Sequence, residues 1–160
     1  MQEKVAIIGA GMAGCFMAYC LAKKGYRVDV YEYRADVRKH SYDSGRSFNL
    51  TLYYRGIQAM KKAGIWQAVK KHAVVAEGNV AHYQNKDVFD PFDAHGSEIL
   101  YTVHRNHLNS ALLSEIEKMS NVKIHFNTKC VSIDKEQRKI HFQKGADKDI
   151  HSVHADIVIG

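Results

Sequence analysis

Proline is nearly missing from this chain, one residue in 160, and no low-complexity segment appears. With 46% hydrophobic residues, that scarcity excludes a linker or disordered segment and leaves apolar mass for a packed core. Long hydrophobic runs are missing too: none approaches the roughly eighteen apolar residues of a membrane-spanning helix. The N-terminus lacks the charged stretch and apolar run of a secretory leader, since it enters an apolar segment already at Val5. Cysteine is limited to Cys15, Cys20 and Cys130, with no CxxC pair. The first two fall five apart on an expected helix, a poor disulfide geometry. The expectation is buried, reduced thiols in a cytoplasmic protein.

Positive charge is in excess but not concentrated. The net charge of +6 is carried by scattered pairs such as Lys23-Lys24, Lys61-Lys62 and Lys70-Lys71. That pattern fits solvated helix faces, and no basic face interleaved with stacking aromatics offers itself to nucleic acid. Ten histidines bring no zinc spacing and no HExxH. His104 and His107 could share a helix face, whereas His151 and His154, three apart on a strand, point to opposite faces, so no metal site is expected. There is no GxSxG, and Asp90 and Asp93 read as turn residues rather than an acid–base pair. Trp66, between Ile65 and Val69 on a helix, reads as core. None of these patterns names a catalytic residue.

What the chain does have is gathered in its first thirty-two residues. An apolar strand (Val5-Ala6-Ile7-Ile8) runs into a glycine turn (Gly9-Ala10-Gly11-Met12-Ala13-Gly14) and a helix to about Lys24. A second apolar strand follows, Val28 to Tyr31, closed by Glu32. Gly9 permits the tight turn, Gly11 keeps side chains away from a pyrophosphate, and Gly14 lets the helix pack close to the strand. The helix N-terminus offers free N–H groups and a positive dipole end to phosphates, and Glu32 is placed to accept hydrogen bonds from a ribose. Strand, turn, helix, strand and acid in that order make a dinucleotide-binding fingerprint out of an otherwise weak glycine pattern. A carboxylate repels a 2′-phosphate, so NADP is not expected in this pocket; NAD and FAD both remain.

Beyond Glu32 a polar stretch to Arg46 reads as a long loop. Ser47 to Leu52 alternates as a short strand, Arg55 opens a helix stopped by Gly64, and a second short helix runs from Ile65 to about Lys71. Three β candidates follow, Val74 to Tyr83, Asp87 to Phe92 and Ile99 to Val103, and then an amphipathic helix from Arg105 to Met119. Val122 to Phe126 is another strand, and Cys130 to Asp134 with Lys139 to Phe142 reads as a hairpin. The sequence ends on a buried-type strand, Ile157-Val158-Ile159, with Gly160 where a turn should begin. The expected fold is α/β, a Rossmann-type parallel sheet with an inserted β-rich segment. Residues 1–160 are expected to form one nucleotide-binding domain, the front part of a longer protein.

Three segments add a resemblance. Gly45-Arg46-Ser47-Phe48-Asn49-Leu50-Thr51-Leu52 followed by Arg55-Gly56 is similar to the GRSINLAL…RG segment of the kynurenine 3-monooxygenase family. Val103 to Asn109 resembles that family's S-x-x-R-x-x-L-N, and Asn121 to Asn127 its next strand. Ala155 to Gly160 resembles the approach to a second flavin motif, a Gly-Asp-Gly turn, which this chain does not contain. The resemblance implies bound FAD, with the turn (Gly9, Gly11, Ala13, Gly14) on the pyrophosphate. Tyr31, Glu32, Tyr33 and Arg34 would take the adenosine end, with Thr51 beside the flavin, Arg105 on the cofactor and Cys130 near the adenine. It also implies NADPH as a transient reductant, and O2 as oxidant in hydroxylating a small aromatic substrate, chemistry that the cofactor supplies.

Two positions depart from the family's pattern. Its substrate carboxylate is held by an arginine three residues before a histidine; here the histidine is His82 and the matching residue is Asn79. A family tyrosine after a proline is matched by Phe92, after Pro91. Kynurenine should therefore bind poorly unless a cation comes from elsewhere. The 160 residues alone are expected to be inactive. The alternatives are an NAD-dependent dehydrogenase domain, for which residues 33–160 offer no Tyr-x-x-x-Lys, and a non-catalytic nucleotide-binding fragment.

Overall fold

The computed structural model describes residues 3–39, 48–92, 99–145 and 149–160. In chain order the elements are β1 (Lys4–Ile8), α1 (Met12–Lys23), β2 (Arg27–Tyr31), β3 (Asn49–Leu52), α2 (Tyr54–Ala63), α3 (Trp66–Lys70), β4 (Ala73–Ala76), β5 (Gly78–Tyr83) and β6 (Lys86–Pro91). Then come β7 (Leu100–His104), α4 (Arg105–Glu117), β8 (Val122–His125), β9 (Thr128–Asp134), β10 (Lys139–Lys144), β11 (Ile150–His154) and β12 (Ile157–Ile159). They form two compact units, residues 1–43 with 109–160, and residues 44–108.

The first unit contains the expected parallel sheet, in the order β12-β1-β2-β8. Strands covered on both faces need apolar residues throughout rather than in alternation. Val5, Ala6 and Ile7 of β1 and Val28 to Tyr31 of β2 are accordingly all buried. From β1 the chain continues on one side to β2 and β8, while β12 joins on the other side. β1 is thus the switch point at whose carboxyl end such sheets leave a crevice for ligands. Helix α1 packs on β1 and β2. A separate antiparallel sheet, β11-β10-β9, supplies Ile140 and Phe142 to a core with Ala6, Tyr31 and Ala155. Sequence reading made β9 and β10 a hairpin; β11 completes it as a three-stranded sheet.

The second unit holds two small antiparallel sheets, β3-β7-β4 and the hairpin β5-β6, with α2 and α3. Trp66 is buried there, as expected of core, with Tyr101 edge-on at 5.2 Å. The run Val74 to Tyr83, expected as one strand, is two. β4 pairs with β7 and β5 with β6, and the switch falls at Glu77, whose carbonyl accepts the Phe92 N–H at 2.9 Å in the β5–β6 register and no longer follows β7. Asp90, expected in a turn, is a strand residue of β6; Asp93 lies outside the described residues, as do Gly45, Arg46 and Ser47. Of the cysteines only Cys15 is buried. Cys20 and Cys130 are half-buried, and all three are free.

Candidate functional site

The glycine turn leaves the carboxyl end of β1 at the switch point. Gly9 has φ +106, a left-handed conformation that a side chain would strain, and its N–H donates to the Tyr31 carbonyl at 2.7 Å. That bond stitches the turn to the end of β2. Gly11 is the extended N-cap of α1, and the helix's first bond runs from the Cys15 N–H to the Gly11 carbonyl at 2.9 Å. The N–H groups of Gly11, Met12, Ala13 and Gly14 therefore remain for a ligand, with the positive end of the helix dipole behind them. No acidic side chain in the first turn of α1 opposes an anion there. At Gly14 a Cβ would collide with the Gly9 carbonyl oxygen, a backbone atom that cannot yield, so only glycine lets α1 start this close to β1.

Glu32 follows β2 directly and is buried. Its backbone is clamped by the segment after β8: the N–H donates to the His125 carbonyl at 2.9 Å and the carbonyl accepts the Thr128 N–H at 2.8 Å. Its Oε2 accepts the Ala10 N–H at 2.9 Å, and its Oε1 accepts both the Arg34 N–H and the Arg34 Nε at 3.0 Å. Burial pushes the carboxyl up, but the bonds from Arg34 and Ala10 together outweigh it and hold Glu32 below the usual carboxylate range. It is therefore charged at neutral pH. Each carboxylate oxygen has about two acceptor sites, so Oε2, with one partner, keeps capacity for a ribose hydroxyl.

The neighbours divide by exposure. Tyr31 is sealed in the core, its ring stacked between His125 at 4.6 Å and Phe142 at 4.0 Å, so it offers a ligand only backbone. Burial and then the charge of Asp29 push its hydroxyl up to about 12. Asp29 itself is held below its usual value despite burial, by the hydrogen bond from His125 at 2.8 Å and the charge of Lys4 at 3.4 Å. Tyr33 is 62% exposed, and the Arg34 guanidinium lies 5.0 Å from its ring centroid. Cys130 packs at the edge of the cluster containing Tyr31 and Phe142.

The remaining expected residues belong to the second unit. Thr51 is exposed on β3, opposite Thr102 of β7. Arg105 opens α4 where β7 ends; its N–H donates to the Phe48 carbonyl at 3.3 Å, and its guanidinium lies 5.7 Å from the Phe48 ring. Asn79 and Phe92 lie at the same end of the β5–β6 hairpin, and Asn79 is directly opposite Asp90. His104 and His107 do meet, with ring centroids 4.9 Å apart and His72 5.8 Å from His107. Among the described residues no group of three ligands could hold a metal ion.

Open amides at a helix start, a Gly14 with no room for a side chain and a charged acceptor beside them fit a dinucleotide whose adenosine ribose is unphosphorylated. Residues 2–160 match the family model for the FAD binding domain. The chain belongs to the FAD-binding domain family. FAD is therefore the cofactor, and the NAD alternative falls away. The chain is 38% identical over 157 residues to the kynurenine 3-monooxygenase of Anopheles gambiae, covering 98% of this chain and 32% of that protein. It is 39% identical over 143 residues to the enzyme of the same name from Legionella pneumophila (strain Corby), covering 89% and 32%. The crystal structure of p-nitrophenol 4-monooxygenase from Pseudomonas putida DLL-E4 matches with a TM-score of 0.80 at 22% identity, covering 98% of this chain and 40% of that one, which bears on the fold alone. The chain thus spans about a third of the length of the curated relatives it matches.

The structure brings together the glycines and the acid that sequence reasoning singled out. That reasoning missed Ala10, whose N–H engages Glu32, because the glycine fingerprint asks for no particular residue type at that position.

Proposed function

We propose that this chain is the FAD-binding part of an enzyme that uses NADPH and O2 to hydroxylate a small aromatic, amino-acid-like substrate. The observation that carries the reading is the Glu32 carboxylate bonded to the Ala10 amide of the glycine turn, in a chain whose curated relatives are kynurenine 3-monooxygenases. When bound, FAD supplies the redox chemistry. The chain's part is to hold it. The Gly11 to Gly14 amides face the pyrophosphate, and Glu32 accepts from the adenosine ribose while excluding a 2′-phosphate. Tyr33 and Arg34 would present an aromatic and a guanidinium plane at the adenosine end and Cys130 would lie near the adenine, and the resemblance assigns Thr51 and Arg105 to the flavin. NADPH, barred from the Glu32 pocket, visits elsewhere and transiently.

The substrate is a finer question. Asn79 and Phe92 stand where the resemblance requires an arginine and a tyrosine for the kynurenine carboxylate. The cross-strand register sets Asp90 opposite Asn79, so among the described residues this end of the hairpin offers an amide and a carboxylate and no cation. We infer a substrate whose carboxylate is absent, or is held by another part of the protein. The test is turnover by the full-length protein with NADPH and O2 across kynurenine and its decarboxylated analogue. Substrate-stimulated NADPH oxidation with a hydroxylated product is the expected result. An FAD-loaded protein that oxidises NADPH neither alone nor with any of these aromatic compounds would favour a non-catalytic nucleotide-binding role.

A further inference from the structure

Asn109, in the segment that resembles the family's S-x-x-R-x-x-L-N, has no role in this reading, and Cys15 has figured only as a thiol. They meet at the glycine turn. Cys15, on α1, is fully buried. Its Sγ donates to the Ala10 carbonyl at 3.2 Å, and the Asn109 Oδ1 stands 3.9 Å from the same sulfur. The Ala10 N–H is held by Glu32 Oε2 at 2.9 Å. Both polar groups of one turn residue are thus fixed by side chains from other points in the chain.

The peptide plane makes this matter. The Ala10 carbonyl and the Gly11 N–H belong to one planar trans peptide and point in opposite directions. Holding the carbonyl on the protein side aims the Gly11 N–H outward, toward the place an anion takes at the start of α1. Gly9 on one side and Gly11 on the other have no side chains to restrict that plane by packing. We propose that Cys15 is a positioning residue for FAD, orienting the Ala10–Gly11 peptide so that its N–H meets the pyrophosphate. This rests on the glycine turn being the pyrophosphate site. The donor persists across ordinary pH, because burial and then the Glu32 charge push the thiol up to about 12.

The test uses the full-length protein and three probes, FAD, ADP and adenosine, with Cys15→Ala, Cys15→Ser and Asn109→Ala. Losing one neutral hydrogen bond to the turn should weaken FAD and ADP about fivefold in Cys15→Ala and leave adenosine within about twofold. Cys15→Ser, which keeps a donor, should recover most of the loss, and Asn109→Ala, which removes only a competing acceptor 3.9 Å from the sulfur, should leave both ligands within about twofold. The Raman difference spectrum of wild type minus Cys15→Ser isolates the Cys15 S–H stretch. It should lie below the frequency of a free thiol and shift when ADP binds, a readout that survives if Cys15→Ala fails to fold. Equal losses for ADP and adenosine, no loss, or a free-thiol band unmoved by ADP would overturn the proposal. Wild-type protein that binds neither FAD nor ADP would overturn the site assignment with it.

Discussion

At the end of β2 one buried carboxylate meets an amide of the glycine turn and a guanidinium, and its ionisation follows from which contacts outweigh burial. Glu32 is held below its ordinary value of 4.5, so the sign is that of a depressed acid. Its stabilising contribution is complete above the unfolded value near 4.5 and is lost as pH falls through the lower folded one. Glu32→Gln removes that dependence while leaving Asp29 and Asp36 to titrate equally in both proteins. The gap in thermal midpoint between wild type and Glu32→Gln should be widest at neutral pH and close as the solution is acidified below about 4.5. A gap that widens on acidification would contradict the assignment. Glu32 and the three glycines were legible in the sequence because their spacing between two apolar strands places them at the turn and its neighbouring strand end. Cys15 was legible only as a thiol, since its bond to the Ala10 carbonyl depends on how the turn folds over α1.

Among elements, the chain leaving β2 is tied to the far end of α4. Arg38 donates to both oxygens of Asp36, at 2.9 and 2.7 Å, and to both oxygens of Glu117, at 2.7 and 3.1 Å. Asp36 is buried, and the Glu117 side chain is 60% exposed, so the two halves of this pin differ in weight. Arg38→Ala strands a buried carboxylate and should cost about 1–3 kcal/mol in urea unfolding, whereas Glu117→Gln, at an exposed pair, should cost under about 1 kcal/mol. Equal costs would mean that the Asp36 contact carries no special weight. Sequence periodicity found most elements, because parallel strands and amphipathic helices write their burial into residue order. It ran β4 into β5, since the order of residues from Val74 to Tyr83 does not reveal that its halves pair with different strands. It could not show the register that sets Asp90 against Asn79 either, because pairing across a turn depends on where the turn closes.

For the whole molecule the consequence concerns substrate. Arginine placed at position 79 would face Asp90 across the hairpin and be neutralised there. Asn79→Arg alone should therefore change the kynurenine KM little, while Asn79→Arg combined with Asp90→Asn should lower it by about tenfold or more. kcat should move less, because a carboxylate remote from the hydroxylated carbon is bound alike in ground and transition states. Improvement by Asn79→Arg alone would show that Asp90 does not reach the site. The 160 residues by themselves should show no NADPH oxidation, and steady turnover by them would contradict the division of labour proposed here.

The most direct measurement is an FAD titration of the full-length protein, followed by flavin absorbance, in wild type and Glu32→Arg. The account predicts one tightly held FAD per chain in the wild type. In Glu32→Arg it predicts binding weakened by at least about tenfold, because a buried acceptor facing the ribose becomes a donor beside the Ala10 N–H. A protein without flavin absorbance that binds NAD stoichiometrically, or one in which Glu32→Arg retains FAD as tightly as the wild type, would contradict it.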